Sequence, residues 1–281
     1  METVSSVEDL RAQVSQWRQA GERIALVPTM GNLHDGHLQL VREARLLAPH
    51  VVASIFVNPL QFGPNEDLDN YPRTLEADQQ KLAAEGVELL FTPDVPAMYP
   101  RGAERSTVIE VPEVSEGLCS DFRPGHFTGV ATVVGRLFNL VQPDVAVFGE
   151  KDYQQLAVIR RMVDDLGWPI EIRGVATVRE DDGLAMSSRN QYLDDQERRI
   201  APLLHQTLEQ LVSDIRTQKT DYRVLEKQAK ETLSQAGFTP EYVEIRHAES
   251  LQPVASGELN CVVLAAARLG AARLIDNICV E

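Results

Sequence analysis

Short runs of aliphatic and β-branched residues alternate with helix-spaced segments over the first two-thirds of the chain, and this alternation restricts the fold more than any other feature. Residues 23–27 (Arg23-Ile24-Ala25-Leu26-Val27) read as a buried strand, followed by a turn and an amphipathic helix over residues 37–47. Residues 51–57 and 87–91 are two further strands, with a helical stretch at residues 75–84 between them. Residues 127–140 have helical spacing, 145–148 form a strand, 154–166 a helix closed by Gly167, and 170–178 another strand. Strands that are apolar throughout have both faces covered and pair in parallel through helical crossovers. The expected architecture is a doubly wound, Rossmann-like parallel α/β sheet, whose ligands sit at the carboxyl ends of the strands.

The pattern changes after Val178. Asp181-Asp182-Gly183 is a turn signal, residues 194–218 read as one long helix, and residues 222–235 as a second that ends at Gly237. Strands follow at 242–246, 261–269 and 272–280, the last two paired as a hairpin at Gly270-Ala271. Helices followed by strands indicate a smaller C-terminal α+β domain. The expected division is 1–178 and 179–281, with the boundary inside 176–184.

Composition narrows the function. The formal net charge is −15 over 281 residues, whereas nucleic-acid binding draws its affinity from neutralising phosphates with a basic face. Cys119, Cys261 and Cys279 are odd in number and lack CxxC spacing, so they read as reduced packing thiols of a cytoplasmic protein. The first residues show neither the basic nor the apolar region of a signal peptide, and no stretch is long enough to span a bilayer.

The first long strand runs into Pro28-Thr29-Met30-Gly31-Asn32-Leu33-His34-Asp35-Gly36-His37. A glycine-containing strand-to-helix turn lets backbone N–H groups approach an anion at a helix N-terminus. It has neither GxGxxG nor GxxxxGK[ST], so it is no dinucleotide fingerprint or Walker loop. His34 and His37, three apart, share one helix face. By themselves they admit a capping pair, a two-histidine metal site or an anion site. Their place at the sheet edge favours the anion, beside which imidazoles would tend toward the charged form.

The HxGH turn resembles the HIGH signature of the nucleotidylyltransferase superfamily, which includes the class I aminoacyl-tRNA synthetases. Met186-Ser187-Ser188-Arg189, just after Val178, resembles that superfamily's second, KMSKS-like signature. Three further strings are more specific: Asn58-Pro59-Leu60-Gln61-Phe62-Gly63, the segment from Gly117 through Arg123 to Phe127, and Gly149-Glu150-Lys151-Asp152-Tyr153-Gln154-Gln155. With Tyr71-Pro72-Arg73-Thr74, the chain is identified as resembling the pantoate–β-alanine ligases from about residue 27 to 193, and more weakly beyond.

That resemblance implies an ATP- and Mg²⁺-dependent condensation of pantoate with β-alanine through pantoyl adenylate, in a cytoplasmic homodimer. It implies that Pro28, residues 30–37, residues 149–152, Val178 and residues 186–189 form the ATP site, the last closing over the phosphates. His34, His37, Lys151 and Arg123 would serve catalysis, with His37 as proton donor and Arg123 on a gating loop. Gln61 and Gln155 would bind pantoate, Gln61 also β-alanine, with Asn58 assisting; Asp78 would contact Mg²⁺. Residues 179–281 would act as a lid. Rival readings are another nucleotidylyltransferase, which would lack the NPLQFG and GEKDYQQ strings, and a nucleotide sensor without turnover.

Overall fold

The computed structural model describes residues 1–63, 66, 68–217 and 221–280. Six parallel strands form the first sheet: β1 (Glu2–Val4), β2 (Ile24–Thr29), β3 (His50–Ile55), β4 (Leu89–Phe91), β5 (Val145–Gly149) and β6 (Glu171–Val175). Their order is β1-β4-β3-β2-β5-β6. The helices that accompany them are α1 (Val7–Gln19), α2 (Asp35–Leu47), α3 (Leu75–Ala84), α4 (Val95–Met98), α5 (Cys119–Phe122), α6 (His126–Val141) and α7 (Tyr153–Leu166).

Alternate residues of the central strands enter two separate cores. Ile24 and Leu26 of β2 face one core with Leu10 and Val14 of α1 and the apolar residues of α6 and α7. Ala25 and Val27 face the other with Leu40, Val41 and Ala44 of α2 and Leu82 of α3. This two-sided burial explains why β2, β3 and β5 are uninterrupted apolar runs. From β2 the strand order proceeds through β3 and β4, whereas β5 and β6 lie on the other side. Neighbouring β2 and β5 therefore flank the switch point, and the crevice opens beyond Thr29 and Gly149.

The N-terminal edge departs from the sequence reading. β1 is a three-residue strand paired in parallel with β4, and α1 buries only Leu10 and Val14. Neither leaves a strong periodic signal. The sixth strand ends at Val175, not Val178, because residues 176–178 leave the sheet to wall the crevice.

In the C-terminal part, β7 (Thr239–His247), β8 (Cys261–Leu269) and β9 (Ala272–Val280) form an antiparallel sheet, with the expected two-residue turn at Gly270-Ala271. The expected single helix over 194–218 is instead α8 (Asp195–Ile200) and α9 (Leu203–Thr217). Pro202, which has no N–H to donate and crowds the preceding turn, separates them; Gln218 lies outside the described residues. Helix α10 (Tyr222–Gln235) follows as expected. Central strand β8 packs Val263, Ala265 and Ala267 with residues of α9 and α10 on one face. Its other face, Val262, Leu264 and Ala266, meets Leu118 and Tyr153 of the first part. Cys119 and Cys261 are buried as expected, but Cys279 is exposed.

Candidate active site

The crevice between the ends of β2 and β5 is a pocket lined by Pro28, Met30, His34, Gly36, His37, Gly149, Lys151, Asp152, Val178 and residues 186–189, together with Gln61 and Gln155. Segments from the two ends of the first sheet's sequence thus meet in one place. Gly31, Asn32, Leu33, Asp35, Glu150, Asn58, Asp78 and Arg123 do not line it.

The turn after β2 differs from a backbone anion nest. Gly31 adopts φ +83°, and a Cβ there would stand 3.1 Å from both Asp78 Oδ2 and Ile55. The N–H groups of Asn32 and Leu33 donate to the two carboxylate oxygens of Asp78, each at 2.8 Å, and Thr74 Oγ1 donates to Asp78 Oδ2 at 3.0 Å. Gly31 N–H goes to Thr29 Oγ1, and the Lys81 ammonium holds the Leu33 carbonyl at 2.6 Å. At the start of α2, Gly36 N–H donates to His34 Nδ1, and His34 N–H donates to His37 Nδ1. Most of the turn's amides are thereby satisfied within the protein. An anion here would meet side chains instead.

The two imidazoles are held in one protonation state. Burial, with the Lys151 ammonium adding to it, lowers the His34 pKa to about 4. Burial also lowers His37 to about 3, with His34 and Lys151 contributing. Both rings are neutral at pH 7. Because each Nδ1 accepts a backbone N–H, the ring proton sits on Nε2, so the pair offers two neutral N–H donors from the opposite ring edge. This is the state without an anion beside the rings, whereas the charged form is expected beside phosphate. Ring centroids are 4.1 Å apart, and a Cβ on Gly36 would come within 2.9 Å of the His34 ring, so glycine is needed there.

The same burial has a consequence for acid stability. Below about pH 6.5 the unfolded chain protonates these imidazoles and His126, which is lowered to about 4 by burial and by Arg123. The unfolded state then binds more protons, so stability falls as pH drops from about 6.5 toward 4. Tm measured from pH 7 to 5 should decline less steeply in the His34→Gln/His37→Gln double variant; an equal slope would contradict the buried, neutral assignment.

These contacts weigh against three of the sequence-based assignments. Asp78 is fully buried and its oxygens accept from the turn's backbone and from Thr74, so they face the turn and not the pocket. Asn58, 1% exposed, donates to the Gly129 carbonyl (3.0 Å) and to Gln61 Oε1 (3.2 Å) and accepts from Tyr99 OH (2.8 Å). Its hydrogen-bonding capacity is used in placing Gln61. Arg123 forms a two-pronged ion pair with Glu66 (2.7 and 2.6 Å) and donates to His126 Nε2 and the Gln61 carbonyl. It braces the Gln61 turn from behind and offers no free fork to phosphate.

Gln61 and Gln155 are thus the two amides at the pocket, whereas neighbouring Gln154 is buried and bonded to Cys119 N–H and the carbonyls of Val114, Glu116 and Gly117. Gln61 Nε2 lies 2.9 Å from Met30 Sδ, which joins the two halves of the pocket. The apolar wall of Val130, Val133, Val134 and Leu137 on α6, and Tyr71, were not assigned from sequence. The α6 residues read there only as a helix face; that the face closes a pocket depends on its packing.

A Rossmann-like sheet thus brings its HxGH turn and the loop Met186–Arg189 to one pocket at its switch point. Comparison then specifies the family. A model of the family described as pantoate-beta-alanine ligase matches residues 2–279. A pantothenate synthetase of Azotobacter vinelandii is 59% identical, covering 100% of this chain and 99% of its own. One from Pseudomonas aeruginosa is 58% identical with the same coverage. The crystal structure of pantothenate synthetase from Thermus thermophilus superposes with a TM-score of 0.93 at 48% identity, covering 100% of both chains. A Francisella tularensis pantoate-beta-alanine ligase, described as complexed with beta-gamma ATP and beta-alanine, gives 0.84 at 32% identity, covering 100% of this chain and 98% of its own. The chain belongs to the pantoate–β-alanine ligase family.

Proposed function

We propose that this protein condenses (R)-pantoate with β-alanine at the cost of ATP, giving pantothenate, AMP and pyrophosphate through pantoyl adenylate. The observation that carries the reading is the meeting of His34, His37 and Lys151 with two neutral amides, Gln61 and Gln155, in one pocket. In the first step a pantoate carboxylate oxygen bonds to the α-phosphorus and the bond to pyrophosphate breaks. In the second the β-alanine amine bonds to the acyl carbon, the carbon–oxygen bond to AMP breaks, and the amine gives up a proton. No covalent enzyme intermediate is needed.

The Nε2–H groups of His34 and His37 and the Lys151 ammonium would meet the phosphates as negative charge moves onto pyrophosphate, with the neutral His37 ring donating a hydrogen bond and keeping its proton. Gln61 and Gln155 would hydrogen-bond the pantoate hydroxyls, and Gln61 would also meet β-alanine. Amides donate and accept there without repelling the carboxylate that must react. Residues 186–189 would close over the nucleotide and Val178 would lie against adenine. Among the described residues no three His, Cys, Asp or Glu side chains cluster as a metal cage. The donor set therefore fits Mg²⁺ carried by the triphosphate and waters, which neutralises phosphate charge.

Pantoate labelled with ¹⁸O in its carboxylate tests the route. One label should appear in AMP, and release of AMP should depend on pantoate; unlabelled AMP or pantoate-independent release would overturn the proposal. Asp78→Asn should lower Tm by weakening the acceptors of the Asn32 and Leu33 N–H groups, the second of them buried, at about 1–3 kcal/mol for a buried group left unpaired. The Mg²⁺ dependence of turnover should be unchanged, and a raised Mg²⁺ requirement would return Asp78 to a metal role.

The family supports a division into an ATP- and pantoate-binding part, 1–178, and a lid, 179–281, in a cytoplasmic homodimer. Light scattering should then give about twice the 31.2 kDa chain mass. Among the described residues no helix is long and apolar enough to cross a membrane.

A further inference from the structure

Strand β9 belongs to the C-terminal sheet, yet two adjacent side chains on it grip both sides of the nucleotide pocket from behind. The amide of Asn277, 8% exposed, donates to the carbonyl oxygens of Glu150 and Lys151, both at 2.9 Å. The Asn277 N–H donates to Asp276 Oδ1 at 2.8 Å. Asp276, 3% exposed, pairs with both prongs of Arg179 (2.7 and 2.9 Å) and with His205 Nδ1 (3.2 Å). Arg179 opens the small hairpin bridged to Ala185, beyond which Met186 N–H meets the Val178 carbonyl at 2.9 Å.

The turn that carries Lys151, residues 150–152, has no side-chain cap at Gly149. Two consecutive carbonyls of that turn instead share one amide from a distant strand. Fixing both peptide planes fixes the Cα–Cβ direction of the lysine between them. The Asn277 side chain can do this because its NH₂ carries two donors and its own backbone is locked by Asp276.

We infer that Asn277, held by Asp276, is a positioning residue that sets where the Lys151 ammonium stands relative to His34 and His37. The inference rests on the reading of Lys151 as the cation for ATP phosphates. Asn277 touches no substrate; it acts through Lys151.

The experiment is a double-mutant cycle in the full-length protein. Asn277→Leu keeps the side-chain volume and removes both donors. It should lower kcat/KM for ATP by about ten-fold, since small misplacements of a reacting group are costly, with KM for β-alanine within about two-fold. In a Lys151→Ala background the same substitution should change kcat/KM for ATP by less than about two-fold, because the group it positions is gone. A merely structural role predicts the same ten-fold loss in both backgrounds, and that result would overturn the inference, as would wild-type ATP kinetics. Asn277→Ser, with one donor, should lie between; if the leucine variant fails to fold, wild-type behaviour of the serine variant overturns the inference instead. Lys151→Ala on its own tests the underlying reading, and full activity there would remove both.

Discussion

His37→Ala is expected to lower turnover by about 10²–10³-fold, the range for losing a charge-stabilising hydrogen bond in the transition state. The ring has two separable jobs. Its Nδ1 accepts the His34 N–H and completes a reciprocal cap of α2, while its Nε2–H is left for the pocket. Alanine removes both, so it would lose some helix stability as well, about 1 kcal/mol for a cap. Two near-isosteric variants divide the roles. Asparagine can place an acceptor near Nδ1 but nothing at Nε2, so His37→Asn should fold like the wild type and turn over as slowly as the alanine variant. Glutamine places its amide near Nε2, so His37→Gln should recover part of the rate while losing the cap. Rates measured with Tm on all three check this. If His37→Asn kept near wild-type turnover, the Nε2–H would have no catalytic part, and the site would reduce to a helix cap beside a pocket.

The double role of that imidazole shows what sequence could convey and what it could not. β2, β3 and β5 were legible because a strand buried on both faces must be apolar at every position, and the turns beyond β2 and β5 were legible as ligand-bearing from the switch-point rule. β1 was not, since a three-residue strand has no period, and α1 was not, since only Leu10 and Val14 are buried while Val7 and Trp17 pack half-buried against the core. Within the site, His34, His37, Lys151, Gln61 and Gln155 were placed by motif and all reach the pocket. Asn58, Asp78 and Arg123 were picked out alongside them, and nothing in their local sequence tells them apart from the first group. A polar side chain is free for a ligand only if its hydrogen-bonding capacity is not already used. For these three the partners lie far along the chain: Asp78 meets Asn32, Asn58 meets Gly129 and Arg123 meets Glu66, at separations of 46, 71 and 57 residues. Local pattern does not encode such pairings.

Gly129→Ala is expected to disturb substrate binding from a position outside the pocket. Gly129 lies in α6, whose backbone passes so close to the turn Pro59–Gln61 that a Cβ at 129 would stand 2.2 Å from the Leu60 carbonyl oxygen and 2.7 Å from the Gln61 N–H nitrogen. Both atoms are backbone, so no side-chain rotation relieves the collision; the helix and the turn must separate. Their separation stretches the Asn58 bond to the Gly129 carbonyl and, through it, the hold of Asn58 on Gln61. In a helix interior alanine is otherwise favoured over glycine by about 1 kcal/mol, so a net loss isolates the close approach. Overpacking of this kind costs about 1–3 kcal/mol, a Tm decrease of roughly 2–10 °C for a chain of this size. KM for pantoate should rise by more than about ten-fold, because Gln61 is displaced, while KM for ATP, whose proposed contacts are His34, His37 and Lys151, should stay within about three-fold. Gly135, six residues further along α6, is the internal control: a Cβ there meets only side chains, Ile109 at 2.5 Å, Trp168 at 3.2 Å and Met162 at 3.7 Å. Gly135→Ala should therefore lower Tm without changing KM for pantoate. Equal effects of the two substitutions on pantoate would mean that the helix as a whole, and not the contact between Gly129 and the Gln61 turn, governs the acid subsite.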